Sequence, residues 1–198
     1  MKPIVLLKRA IFAAALIPAA ALVIGAFTAN LTANPIDYIT DQTGDTALTF
    51  LIITLTVTPL RRLTGWNEVI KLRRMLGLFA FFYATLHVLT WFVLDQFFDV
   101  ASMAADVVKR PFITMGMTTY LLLIPLAITS NAAMIRRLGR RWQRLHRLAY
   151  VAPMTAIIHF WWQVKADIRE PRNWALALTV LLAFRVWWML RTQKSLRY

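Results

Sequence analysis

The sequence predicts an all-α protein, a polytopic six-helix transmembrane bundle with both termini cytoplasmic. Three observations carry that prediction. Six apolar stretches each approach the roughly 20 residues that cross a hydrocarbon core. Of 198 residues, 59% are hydrophobic and only 16% charged, against about 45–50% and 25% in soluble domains; the mean hydropathy of +0.56 agrees. A formal net charge of +14 is shared unequally between alternate connectors, as the positive-inside rule requires of a membrane protein.

The spans follow in order. The first covers 10–27. Its basic start (Lys2, Lys8, Arg9) and small residues (Ala19, Ala20, Ala21) resemble a secretory signal. Its apolar run exceeds the 7–15 residues of a cleaved signal, so a retained first helix is expected. Asn34-Pro35 breaks the chain before the second span, 46–60, which Pro59 with Arg61 and Arg62 closes. The third covers 75–94. Arg110-Pro111 opens the fourth, 112–130, with proline at a tolerated first-turn position. The fifth is 148–164, and Pro171 precedes the sixth, 174–190. Pro125 and Pro153 lie inside spans and are expected to bend them. Short connectors and tails account for the rest, giving one domain over 1–198, with no repeat of clear period.

Orientation follows from charge. The N-terminus, the 2–3 and 4–5 connectors and the C-terminus together hold 17 basic residues against one acid, Glu68. The opposite side holds Lys109, Arg110, Lys165, Arg169 and Arg172 against eight acids, among them Asp95, Asp99 and Asp106 of the 3–4 connector. The basic face is therefore cytoplasmic. The charge reads as an orientation label and an attraction to the anionic lipid bilayer; no soluble domain presents it, so no nucleic-acid partner is expected. There is no cysteine, which excludes disulfide relays, thiolate-ligated clusters and a cysteine-based disulfide–quinone oxidoreductase.

Only three histidines occur: His87, His146 and His159. His87 and His159 lie within spans, where an ionisable side chain is a functional hypothesis by default. Spans three and five run in parallel. His87 is 14 residues beyond Arg73 and His159 is 13 beyond His146, about 20 Å of helical rise in each case. Both therefore sit at one depth in the outer half, as bis-histidine ligation of a haem requires. Gly77, Ala80 and Ala84, with Ala149, Ala152 and Ala156, admit a flat macrocycle or equally a neighbouring helix. His146, at the cytoplasmic mouth, has three open readings: ligand of a second cofactor, partner of a propionate or quinone headgroup, or solvated interface residue. Arg73 and Arg74 suit haem propionates or a flavin phosphate, or mark orientation alone. Arg185, inside span six, either snorkels to the cytoplasmic surface or meets a propionate.

Arg73-Arg74-Met75-Leu76-Gly77-Leu78, Tyr83 and His87, His146-Arg147-Leu148 with Tyr150, and His159-Phe160-Trp161-Trp162 resemble the ferric-reductase-like transmembrane family. Within it, the resemblance is to the haem-binding membrane subunits of bacterial methionine sulfoxide reductase systems, and it covers nearly the whole chain. It implies haem b and FMN as cofactors and quinol as electron source. It also implies heterodimerisation with a periplasmic molybdopterin-containing catalytic subunit that repairs oxidised proteins, in a multi-pass protein of the inner membrane. His87, His159 and His146 match the family's haem- and metal-binding histidines. A fourth histidine, expected about 14 residues before His87, is replaced by Arg73, so a second bis-histidine haem is not expected. The short tail after span six leaves no room for a fused flavin or nicotinamide domain, and no dinucleotide-binding glycine fingerprint is present. The chain is expected to supply electrons without being the catalytic subunit. The alternatives are a stand-alone ferric or cytochrome-b-type reductase and, in another class, a small transporter relaying protons through its histidines.

Overall fold

The computed structural model of the chain describes residues 3–195, and the side chains only as far as residue 192. Lys2 and Arg197 of the basic face lie outside the described residues, as does the side chain of Lys194. The described residues are almost wholly helical and contain no strand. Along the chain run α1 (Pro3–Phe27), α2 (Pro35–Thr64), a 3-10 segment (Asn67–Leu72), α3 (Arg73–Leu89) continued by a π-helical turn (Thr90–Asp95), α4 (Val100–Lys109), α5 (Pro111–Ile128), α6 (Ala132–Leu138), α7 (Arg140–Leu145), α8 (Leu148–Gln163) and α9 (Arg169–Ser195).

Among the described residues, five segments are long and apolar enough to cross a membrane: Pro3–Phe27, Pro35–Thr64, Asn67–Asp95, Pro111–Ile128 and Arg169–Thr192. The fifth expected span is α8, which has 16 residues. At about 24 Å it is the shortest of the set, because Val164 turns to extended backbone directly after Gln163.

Several expected boundaries move: α1 begins at Pro3, α9 begins at Arg169 with Pro171 in its first turn, and α2 is longer at both ends. Asn34-Pro35 does not merely break the chain: it starts a 30-residue helix. The Asn34 side chain accepts from the Asp37 N–H, and Pro35 occupies a first-turn position where no donor is lost. The helix also runs through Pro59 to Thr64 and stops at Gly65, whose φ of 69° is the left-handed conformation glycine tolerates. Proline has no N–H, so Pro59 leaves the Leu55 carbonyl without its ladder donor. Arg185 supplies one, Nη2 to Leu55 O at 2.9 Å, and the helix continues. Pro125 and Pro153 likewise lie within continuous helices.

α1 packs on the bundle through Ile4, Ala15 and Phe12, the last edge-on to Phe79, and one buried side chain hydrogen-bonds to its backbone. The Tyr83 hydroxyl donates to Ala15 O at 2.6 Å and accepts from Ala19 N at 3.1 Å, so it sits inside the α1 ladder next to Pro18. The Tyr83 ring is fully buried and stacks on Phe50, which stacks in turn on Phe79.

The bundle is built from two intimate helix pairs, α2 with α3 and α5 with α8, while α9 closes against α2 and α8. Ala80 and Ala152 are completely buried, so these small residues serve helix contact. Large apolar side chains on the outward faces, such as Phe12, Leu121 and Val180, are exposed, as lipid-facing positions should be.

Candidate functional site

The structure brings His87 of α3 and His159 of α8 together, their ring centroids 6.0 Å apart and the planes inclined by 77°. Each ring is fixed from behind in the same way. His87 Nδ1 donates to Thr40 O of α2 at 2.9 Å, and His159 Nδ1 donates to Phe112 O of α5 at 2.6 Å. A backbone carbonyl only accepts, so Nδ1 carries the proton in both and Nε2 keeps a lone pair. Neither Nε2 has a hydrogen-bond partner among the described residues.

Each ring also lies against a glycine. A Cβ on Gly44 would stand 3.1 Å from Cε1 and Nδ1 of His87; one on Gly116 would stand 3.0 Å from the same atoms of His159. These approaches are tighter than ordinary van der Waals contact, so only glycine lets the imidazoles lie so close to their partner helices. Gly44 and Gly116 each sit one helical turn after the carbonyl that anchors the ring. In both pairs the carbonyl precedes its histidine by 47 residues. The second set of carbonyl, glycine and histidine follows the first at a constant offset of 72 positions. The fully buried Ala80 and Ala152 share that offset. The sequence reading found no repeat and missed Thr40, Gly44, Phe112 and Gly116. The spacing that reveals them appears only once the two helix pairs are known.

His146 is elsewhere. It caps the C-terminal end of α7, two residues before α8 begins, and is not on the helix that carries His159. Its ring stacks on Trp142 at 3.9 Å. Its Nε2 lies 3.0 Å from Thr129 Oγ1, and that hydroxyl uses its single proton on Pro125 O. Nε2 of His146 is therefore the donor, and Nδ1 is its one free lone pair. Burial, reinforced by the charge of nearby Arg73, holds the His146 imidazole below its ordinary 6.5.

Arg73 lies at the N-terminal end of α3, with His146 and Arg185 in its field. Arg74 is exposed beside it. Both are at the opposite end of α3 from His87. The acids of the 3–4 connector are engaged locally: Asp99 caps α4 through Ser102 N, Asp106 pairs with Arg110 at 3.4 Å, and Asp95 accepts from Gln96 at 3.0 Å. The described residues contain no cluster of three or more His, Asp or Glu side chains able to hold a metal ion.

The family described as ferric reductase like transmembrane component matches residues 43–157. A Herminiimonas arsenicoxydans protein named protein-methionine-sulfoxide reductase heme-binding subunit MsrQ is 54% identical over 186 residues, 92% of this chain and 85% of that one. The chain belongs to the MsrQ group of the ferric-reductase-like transmembrane family. Two further MsrQ proteins bearing the same name agree. That of Ralstonia nicotianae is 50% identical over 93% of this chain and 86% of its own length. That of Azospira oryzae is 48% identical over 91% and 78%. No solved structure matches. Membership of this MsrQ group, with five membrane-length apolar helices, makes the chain a multi-pass protein of the bacterial inner membrane.

Proposed function

We propose that the chain is the haem b subunit of a methionine sulfoxide reductase system, passing electrons from the quinone pool to a periplasmic molybdenum-dependent catalytic subunit. The observation that carries the reading is the His87–His159 pair. A metal–imidazole nitrogen bond is about 2 Å. With half a ring on each side, two imidazoles astride one metal atom stand about 6 Å apart, and these stand 6.0 Å apart. Both present an unprotonated Nε2 and both are oriented through Nδ1 by a carbonyl, the support that metal-ligating histidines ordinarily have. The residues therefore fit a bis-histidine haem. The sequence holds no cysteine, which excludes a thioether-linked haem and agrees with the b type proposed here. The names of the MsrQ relatives, heme-binding subunits of a protein-methionine-sulfoxide reductase, agree with this.

When bound, haem supplies one-electron oxidation and reduction. The chain's own residues hold and tune it. His87 and His159 would ligate the iron, Thr40 O and Phe112 O would raise the basicity of both imidazoles, and the Gly44 and Gly116 surfaces would fix the ring planes. His146, its Nε2 bound to Thr129, is not part of this pair; it and Arg73 stand at the cytoplasmic end, where a propionate, a quinone headgroup or FMN would be met. Exposed Arg74 at that end suits a flavin phosphate. The charge asymmetry supports cytoplasmic termini and periplasmic acidic connectors, and in this reading the catalytic partner docks on the acidic side.

The test is anaerobic. Purified protein in nanodiscs is mixed with a short-chain quinol and then with the oxidised molybdenum partner. The reading predicts that b-type absorbance appears with quinol and is bleached by the partner. A b-type band that quinol cannot generate, or that the partner cannot bleach, rejects the assigned electron path.

A further inference from the structure

The cytoplasmic end of the bundle collects positive charge, and around Arg185 no acid among the described residues neutralises it. Arg185, on α9, donates Nη1 to the Tyr150 hydroxyl at 2.7 Å and Nη2 to Leu55 O at 2.9 Å, and its guanidinium lies 4.8 Å over the Tyr150 ring. Its Nε is buried without a partner. All these partners are neutral. Arg62 of α2 and Arg73 of α3 stand close enough to act on Arg185 electrostatically, adding like charge. The ion pairs among the described residues are Lys71–Glu68, Arg110–Asp106 and Arg169–Asp167. Glu68 is the one acid on the cytoplasmic side, and it holds Lys71. A second buried polar atom without a partner is Thr58 Oγ1 on α2. Leu55, Thr58 and Arg62 follow one another at helical spacing on one face of α2.

An intramembrane cation without a counter-charge is costly, and such residues pair with one another, with backbone or with an anion. No acid among the described residues pairs with this cluster, so the pairing anion proposed here is an external one. The surroundings say from where. Arg62 lies 5.2 Å over the Trp188 ring and Arg191 lies 5.4 Å over the Trp187 ring, which sets this end of α9 at the headgroup level. Val186, Trp187, Met189 and Leu190 are half-exposed along the outer side of α9, so acyl chains lie against it. Basic pockets between transmembrane helices on the cytoplasmic side are suited to anionic headgroups.

We propose that Arg185, Arg73 and Arg62, with Thr58, form a binding site for the phosphate group of an anionic phospholipid of the inner leaflet. Arg185 presents its remaining N–H groups to the phosphate oxygens while Tyr150 and Leu55 O hold its plane. The proposal does not rest on the haem-ligand assignment, because no residue of the His87–His159 pair takes part; it gives Arg73 to a lipid phosphate rather than to a propionate, quinone headgroup or FMN.

The experiment uses the full chain with its cofactor, exchanged into phosphatidylcholine nanodiscs carrying graded phosphatidylglycerol. Native mass spectrometry counts the phosphatidylglycerol retained per chain. A parallel arm in phosphatidylcholine alone adds inorganic phosphate, with FMN as a second soluble phosphate. The wild type is expected to retain one phosphatidylglycerol. Arg185→Gln and Arg62→Gln should each weaken retention by about fivefold, the factor for one basic residue at a lipid surface. Arg185→Lys should retain more than Arg185→Gln, and Arg137→Gln, on the exposed face of α6, should match the wild type. An unchanged b-type spectrum in Arg185→Gln shows the bundle intact; if that variant does not fold, Arg62→Gln and Arg185→Lys decide. Retention of phosphate or FMN in place of phosphatidylglycerol would overturn the lipid assignment in favour of a soluble phosphate. Equal retention by wild type and all variants would overturn the site.

Discussion

At the residue scale, the two glycines make the sharpest distinction between a built site and ordinary helix packing. A valine at Gly44 or Gly116 would drive its side chain into an imidazole that already lies about 3 Å from where a Cβ would stand. It would push Nδ1 off Thr40 O or Phe112 O. Loss of support behind a metal ligand typically costs roughly 10–100-fold in affinity. Gly44→Val and Gly116→Val should each lower haem retention by that order in a haem titration. Gly77→Ala, whose nearest contact would be Thr54 Cγ2 at 3.8 Å, should leave it unchanged. His146 yields a pH prediction. Its folded value lies below 6.5, so the unfolded chain takes up more protons in acid. The stability due to its neutral form is present above 6.5 and is lost as pH falls through the folded value. Melting curves of His146→Asn in detergent should therefore fall less steeply than wild type between neutral pH and acid, with the b-type spectrum retained. An identical pH slope in the two proteins removes His146 from that role.

At the element scale, the paired histidines were legible in the sequence because depth along a helix is arithmetic: 1.5 Å per residue from a basic boundary needs no tertiary information. What faces each ring was not legible. Thr40 and Gly44 lie in the long extra turns of α2, outside the 46–60 apolar stretch, and Phe112 and Gly116 lie on a third helix. Hydropathy patterning does not say which helices pair. Pro59 misled for a related reason. A proline ends a helix when its freed carbonyl finds no donor, and the donor here, Arg185, is 130 residues away. Tyr83 ties α1 to the bundle in the same long-range way. Tyr83→Phe deprives Ala15 O and Ala19 N of a buried partner, and a loss of about 1–3 kcal/mol is expected, read as a lower melting temperature with the haem spectrum preserved. An unchanged melting temperature would mean that the α1 ladder closes on itself without the hydroxyl.

For the whole molecule, charge and architecture tell one story. Two similar helix pairs each present one histidine to the other at one end of the bundle, while arginines gather at the opposite end. The fold class and the side-by-side histidines could be read from composition and spacing alone. The near-repeat of 72 positions could not, because the residues shared at that offset, among them Gly44/Gly116, Ala80/Ala152, Ala84/Ala156 and His87/His159, are scattered singly or in twos among differing ones. The charge asymmetry predicts that a fluorescent protein fused after Tyr198 folds in the cytoplasm, whereas alkaline phosphatase fused at Asp99 is active in the periplasm; the reverse pattern would invert the orientation. The central claim, that His87 and His159 jointly hold one haem b, is tested most directly by the dithionite-reduced minus oxidised spectrum of the purified protein. The account predicts a b-type spectrum in the wild type that His87→Ala and His159→Ala each abolish while the variants remain folded by circular dichroism. Full retention of that spectrum in either folded variant would contradict it.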